Sequence, residues 1–207
     1  IININDNNND YLLDNKIKDI LSIKILIKIL KVTPITDLKI EKFIKFLRRN
    51  ILINIKYIND KEAALQLVKA IASQCFINEY IYSTSKEEDK LIISIEKQLE
   101  SLEKNDCKKF LLEFACLAAY KPLNQYIWAD KIKQIKDISC LVKQQIEDPK
   151  KEKEIQNTIS SNEINDLVSL KVKNQYEINP YPRWEKIALN NIQKKPNFFF
   201  KNLGIKI

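Results

Sequence analysis

The chain has 207 residues, 45% hydrophobic and 30% charged, which is enough apolar material for one globular domain or a domain with an appendage. It holds one glycine, Gly204, and no histidine, which excludes glycine-rich phosphate loops, Ser–His and Cys–His nucleophile pairs and histidine-containing zinc sites. The net charge of +8 argues little for a nucleic-acid partner: only Arg48, Arg49 and Arg183 are arginines, and Ile, Lys and Asn, all with A/T-rich codons, make up 88 residues.

Residues 1–9 are polar and Asn-rich, with too little apolar surface to offset ordering entropy, and are expected to form a disordered tail. From Tyr11 to Val32 two periods compete. Ile23, Ile25, Ile27 and Ile29 alternate as in a strand, whereas Lys24, Lys28 and Lys31 form a polar stripe opposite Ile20, Ile23, Leu26, Ile27 and Leu30. Length and that stripe favour one helix, ended by Thr33–Pro34. Asp37 then caps a helix with Ile40, Phe43, Ile44, Leu47 and Ile51 on one face, and Asp60 caps a third carrying Ala64, Leu67, Val68, Ile71 and Cys75. Ser85 and Glu88 have capping-box spacing ahead of Leu91, Ile95, Leu99 and Leu102.

Asp106 is read as the cap of a fifth helix through Phe110, Leu111, Phe114, Ala115 and Ala118, broken at Lys121–Pro122. A shorter helical pair is expected around Leu123–Ile132 and Ile138–Ile146. Pro149–Glu154 is charged, either a solvated helical turn or a linker. Ser161 or Asn162 caps a last helix, Glu163 to Tyr176. The expected fold is all-α, a helical bundle or repeat-like helical array with a C-terminal Pro/aromatic connector. The boundaries are a helical domain over 10–148, a charged linker over 149–162 and a connector over 163–207.

Cys75, Cys107, Cys116 and Cys140 include no C-x-x-C pair, and each sits in an apolar helical stretch. They read as buried free thiols, in keeping with a reducing cytoplasm. Lysines interrupt Ile17–Val32 too often for a signal or membrane segment. Mixed-sign runs such as Lys86–Lys90 and Lys150–Glu154 read as solvated faces. Glu163 and Asp166, at i and i+3, are explained by the helix macrodipole rather than as an acid–base pair.

Two stretches stand out. In Gln74–Cys75–Phe76–Ile77–Asn78–Glu79–Tyr80, Gln74 and Asn78 are i, i+4 neighbours amid apolar residues. Gln74, Asn78 and Glu79 are therefore candidates either for a polar helix–helix contact or for a substrate-recognition patch. In Gln175–Tyr176–Glu177–Ile178–Asn179–Pro180–Tyr181–Pro182–Arg183–Trp184, the two prolines fix φ and hold Asn179 and Tyr181 extended. Tyr176, Asn179, Tyr181, Arg183 and Trp184 are the candidates for a substrate or interdomain contact.

This second stretch resembles an element of bacterial proteins that join tetratricopeptide-type repeats to a class I S-adenosylmethionine-dependent methyltransferase domain. Leu30–Leu38, Gln74–Tyr80, Ala119–Leu123 and Gln144–Pro149 are similar to that family's intervening helical region, so the resemblance spans roughly residues 26–190. Ile178 stands where the family pattern has Glu. The family's Gly-rich cofactor loop would follow this region, and the apolar run Phe198–Ile207 reads as the opening of a strand-rich domain. The chain is thus expected to be a fragment. The resemblance implies a non-catalytic accessory region with no cofactor of its own, S-adenosylmethionine being bound by the parent protein. The implied partners are a downstream methyltransferase domain and a protein substrate, with no membrane. The alternatives are a stand-alone helical interaction module and, behind it, a Lys-rich nucleic-acid binder.

Overall fold

The computed structural model describes residues 7–158 and 167–178, and every regular element among them is helical. The first expected helix is two: α1 (Asn7–Ser22) and α2 (Lys24–Leu30), broken where Ile23 leaves helical geometry at ψ 71°. Ser22 bonds back to the Asp19 carbonyl at 2.6 Å, a contact that competes with continuation of the helix. Buried Asp14 accepts the N–H groups of Asn59 and Asp60, and Lys18 pairs with Asp60 at 2.9 Å. Together they tie α1 to the segment around Asn59 and Asp60.

The next three helices begin where their capping residues predict. Asp37 accepts from the N–H groups of Lys39 and Ile40 at the start of α3 (Leu38–Ile53). Asp60 accepts from Ala63 N–H at the start of α4 (Lys61–Ile77). Ser85 and Glu88 form a complete capping box on α5 (Lys86–Glu100). Leu102 lies past the end of α5.

Helix α4 is the axis of the fold. Thirteen of its 17 residues are buried, and it packs against α1, α2, α3, α6 (Leu111–Ala118) and α7 (Ser139–Val142). A helix apolar around most of its circumference has to be surrounded. Ala64, Ala70 and Ala72 have no exposure, and such small side chains let neighbouring helices approach closely.

After α5 the elements differ from the periodic reading. Asp106 does not cap a helix; its carboxylate holds Lys109 at 2.8 Å instead. A 3-10 turn, Cys107–Phe110, leads into α6 (Leu111–Ala118). The expected pair of helices over 123–146 is a chain of 3-10 turns at Leu123–Gln125, Ile127–Ile132 and Lys136–Ile138, then α7 (Ser139–Val142) and a π-helical turn, Lys143–Glu147. Ile132 and Ile138 end two of these turns and Ile135 is extended between them, and all three are buried. The charged segment after Pro149 is the body of α8 (Asp148–Thr158), which has no buried residue. The last element among the described residues is α9 (Leu167–Ile178); the cap expected at Ser161 or Asn162 lies outside them. Among the described residues, no helix is long and apolar enough to cross a membrane.

Candidate functional site

The polar core of the molecule centres on Arg48 of α3. Ile44, Leu47, Arg48, Ile51 and Leu52 are the buried face of that helix, so the arginine occupies a position where periodicity calls for an apolar residue. Its guanidinium, 3% exposed, donates to the Ala119 carbonyl at 3.3 Å and to the carbonyls of Tyr82 and Ser83 at 3.4 and 3.3 Å. It also stands 4.0 Å from the centre of the Tyr120 ring. Its charge partner is Glu88, 1% exposed, at 3.9 Å.

Glu88 serves three partners. One oxygen accepts the Ser85 N–H in the capping box. The other accepts the Tyr120 hydroxyl at 2.8 Å and faces Arg48. The box legible in the sequence is therefore half of a buried charge network joining α3, α5 and the end of α6.

The Gln74–Tyr80 stretch borders this network. With its amide oriented so that the oxygen takes the Ile35 N–H (3.1 Å), Gln74 donates to the carbonyls of Leu30 (3.2 Å) and Thr33 (2.9 Å). It is fully buried and clamps the α2–α3 connection onto α4. Asn78 is 2% exposed and faces the Tyr82 hydroxyl, with both side chains short of hydrogen-bond geometry. Glu79 and Tyr80 have φ of 56° and 57°. The Tyr80 N–H bonds to the Cys75 carbonyl and the Glu79 N–H to the Phe76 carbonyl, a Schellman termination built without glycine. Of the sequence candidates, then, Gln74 is buried against the α2–α3 connection, Asn78 is buried beside Tyr82 of the Arg48 network, and Glu79 holds the strained turn. Asn179, Tyr181, Arg183 and Trp184 lie outside the described residues; Tyr176 falls within α9.

A second buried amide does for α6 what Gln74 does for α4. Gln145, in the π turn, accepts the Leu123 N–H and donates to the carbonyls of Ala118 and Ala72. On the surface, Glu96 holds Lys121 at 2.7 Å and the Tyr126 hydroxyl at 2.5 Å, beside a Tyr126–Trp128 ring stack.

None of these groups is poised for reaction. Burial pushes the Cys75 thiol up to about 11, against the opposing pull of Arg48, and pushes Cys116 up as well. Burial likewise raises the phenols of Tyr120 and Tyr82. All four stay protonated near neutral pH, so none is a nucleophile or a general base there. The narrow void lined by Arg48, Val68, Ile71, Cys116, Ala119 and Tyr120 has no room for a water molecule. Among the described residues, no three carboxylate or thiol side chains converge as metal ligands would. Cys140 is exposed, unlike the other three cysteines and contrary to the reading of its stretch as buried; it sits at the second position of α7, on the outer side.

The chain matches no known family model, no curated protein and no solved structure.

Sequence reasoning missed Arg48 as the centre of the network. Its signal was available: an arginine at i+4 from Ile44 and i−3 from Ile51, inside an otherwise apolar stripe. Tyr120 and Gln145 carried no local signal, because their partners lie 32 and 22 or more residues away.

Proposed function

We propose that this chain is the non-catalytic helical accessory lobe of an S-adenosylmethionine-dependent methyltransferase, presenting a substrate or partner to a catalytic domain that follows it. One observation carries the reading. The four upstream segments that resemble the family's helical region are joined in two pairs by buried amides, Gln74–Tyr80 to Leu30–Leu38 and Gln144–Pro149 to Ala119–Leu123, and are tied further into the surrounding helices. Gln74 holds Leu30–Ile35, Gln145 holds Ala118 and Leu123, and Tyr120 closes on Glu88 and Arg48. The amides of Gln74 and Gln145 and the Tyr120 hydroxyl are spent on structural bonds, which suits a rigid positioning lobe rather than a reactive centre. Methyl transfer needs the acceptor held in line with the cofactor methyl group, and a stiff lobe contributes by fixing that approach. The connector residues Tyr176, Asn179, Tyr181, Arg183 and Trp184 are the seam to the catalytic domain.

The reading frame beyond Ile207 is the direct test. A glycine-rich loop between a strand and a helix within about fifty residues supports the reading; termination, or a continuation without such a loop, overturns it. In the longer protein, Arg183→Ala should lower methyl transfer while leaving the helical circular dichroism unchanged, and this chain alone should not bind S-adenosylmethionine. A second reading, a stand-alone interaction module, draws on the exposed Leu38, Phe43 and Phe46 of α3. Full activity of the catalytic part without residues 10–148 would favour it.

A further inference from the structure

Residues 22–30 read Ser-Ile-Lys-Ile-Leu-Ile-Lys-Ile-Leu. In the structure they are the break after α1 and the whole of α2, and the helix uses their apolar side chains poorly. Leu30 is buried and Leu26 and Ile27 pack partly, but Ile23, Ile25 and Ile29 are 48%, 71% and 38% exposed. A strand would instead place Ile23, Ile25, Ile27 and Ile29 on one face. Local preference gives the helix little support. It has seven residues, no acidic side chain in its first turn and no side-chain cap from Ile23. Its three isoleucines are β-branched, which favours extended backbone. What holds it is tertiary: the buried Leu30, and the Gln74 amide fastened to the Leu30 and Thr33 carbonyls and the Ile35 N–H.

We propose that residues 22–30 are a self-pairing segment, which on local opening of α2 adds as an antiparallel β-strand to the same segment of a second copy of this chain, with Gln74 as the latch that opposes it. The pattern is self-complementary when pairing centres on an isoleucine, and the register centred on Ile27 pairs the whole of Lys24–Leu30. Pairing centred on Ile27 sets Ile25 opposite Ile29 and Ile27 opposite itself. It sets Lys24 opposite Leu30 and Lys28 opposite Leu26, so no two lysines face each other. Centring on Leu26 would oppose Lys24 and Lys28 and is disfavoured. Stacking further copies buries the isoleucine face, and the residual lysine repulsion makes assembly faster at higher salt.

The test uses the full chain, agitated below its unfolding midpoint and followed by thioflavin fluorescence, amide I infrared absorption and mapping of the protease-protected core. The wild type should form antiparallel β-structure with residues 22–30 protected, sooner in salt. Ile25→Lys, at an exposed position that should leave the native circular dichroism and midpoint intact, should lengthen the lag by about tenfold or more. Ile127→Lys, at a residue 97% exposed elsewhere, should leave the lag unchanged. Gln74→Ala should shorten it and speed hydrogen exchange over residues 24–35. The proposal is overturned if the wild type never converts, if Ile25→Lys assembles like the wild type, if Ile127→Lys slows assembly as much as Ile25→Lys, or if the protected core excludes 22–30. An unchanged or longer lag for Gln74→Ala removes the latch.

Discussion

Arg48→Met is the sharpest test of how this fold is held together. The substitution keeps most of the side-chain volume and removes the charge. It leaves the Glu88 carboxylate, 1% exposed, with only the Ser85 N–H and the Tyr120 hydroxyl, and it strips donors from the carbonyls of Ala119, Tyr82 and Ser83. Breaking a buried ion pair by removing one partner costs about 3–5 kcal/mol, because the surviving charge is stranded. The 3.9 Å separation and the long bonds of 3.3–3.4 Å point to the lower half of that range; the ring contact at 4.0 Å from Tyr120 points upward. A loss of about 3–4 kcal/mol is a large part of the stability of an ordinary domain. Urea unfolding followed by far-ultraviolet circular dichroism should show the midpoint falling with the m-value unchanged. Adding Glu88→Gln to Arg48→Met should cost less than the two single changes summed, by about 1 kcal/mol or more, since each removes the same interaction. Strict additivity, or a loss under about 1 kcal/mol for Arg48→Met, would mean that the guanidinium is not what couples α3 to α5 and α6.

Three further outcomes follow from local geometry. In the folded protein a thiol reagent at pH 8 should modify Cys140 alone, and four cysteines only after denaturation; fast labelling of Cys75, held up to about 11, would contradict its burial. Glu79→Gly should raise stability by about 1 kcal/mol, since φ of 56° strains a residue with a Cβ, and an unchanged or lower thermal midpoint would show that the turn bears no strain. Burial alone would raise the Glu96 carboxyl, but Lys121 and Tyr126 outweigh it and hold it below 4.5. Because the folded value is the lower one, this group stabilises above about 4.5 and the benefit fades as pH falls through the folded value. The stability gap between wild type and Lys121→Met, read by urea unfolding across acid pH, should shrink in that direction; a constant gap would refute the pairing.

How much of this was legible depended on distance along the chain. Asp37, Asp60 and Ser85 with Glu88 were readable because a cap is a bond from a side chain to a backbone N–H two or three residues on. Residues 123–147 were not. There the backbone takes 3-10 and π geometry around contacts that no local window contains, such as Gln145 reaching Leu123, Ala118 and Ala72. The candidate site was half legible. Gln74 and Asn78 drew attention as amides inside an apolar helix, whereas Arg48 went unnoticed because a single charge in an apolar stripe looks like noise until its partner is found. Cys140 reversed for the opposite reason: apolar neighbours in sequence say nothing of which side of a short helix a side chain occupies.

One composition figure, the single glycine, bears on how these helices end. A helix leaves its last carbonyls unsatisfied, and glycine in left-handed geometry is the usual local remedy. This chain uses side chains instead. Asn54 bonds back to Asn50 at the end of α3, and Ser101 to Gln98 at the end of α5. At α4 the left-handed turn is made by Glu79 and Tyr80. At the end of α6 the backbone N–H groups of Ala119, Tyr120 and Lys121 close the carbonyls of Ala115, Cys116 and Leu117, and distant side chains take the last two: the Ala118 carbonyl accepts from Tyr80 and Gln145, and Ala119 from Arg48. A cation at a helix C-terminus also meets the negative end of the macrodipole. Termination by distant side chains makes the end of α6 a tertiary contact, so α6 cannot fray without releasing α3, the α4 turn and the π turn together. Cooperativity of that kind predicts that backbone amides at the end of α6 exchange with solvent only through global unfolding. If they exchange early, by local opening, then the side-chain caps are incidental and the stiffness required of a positioning lobe must come from the apolar packing around α4 alone.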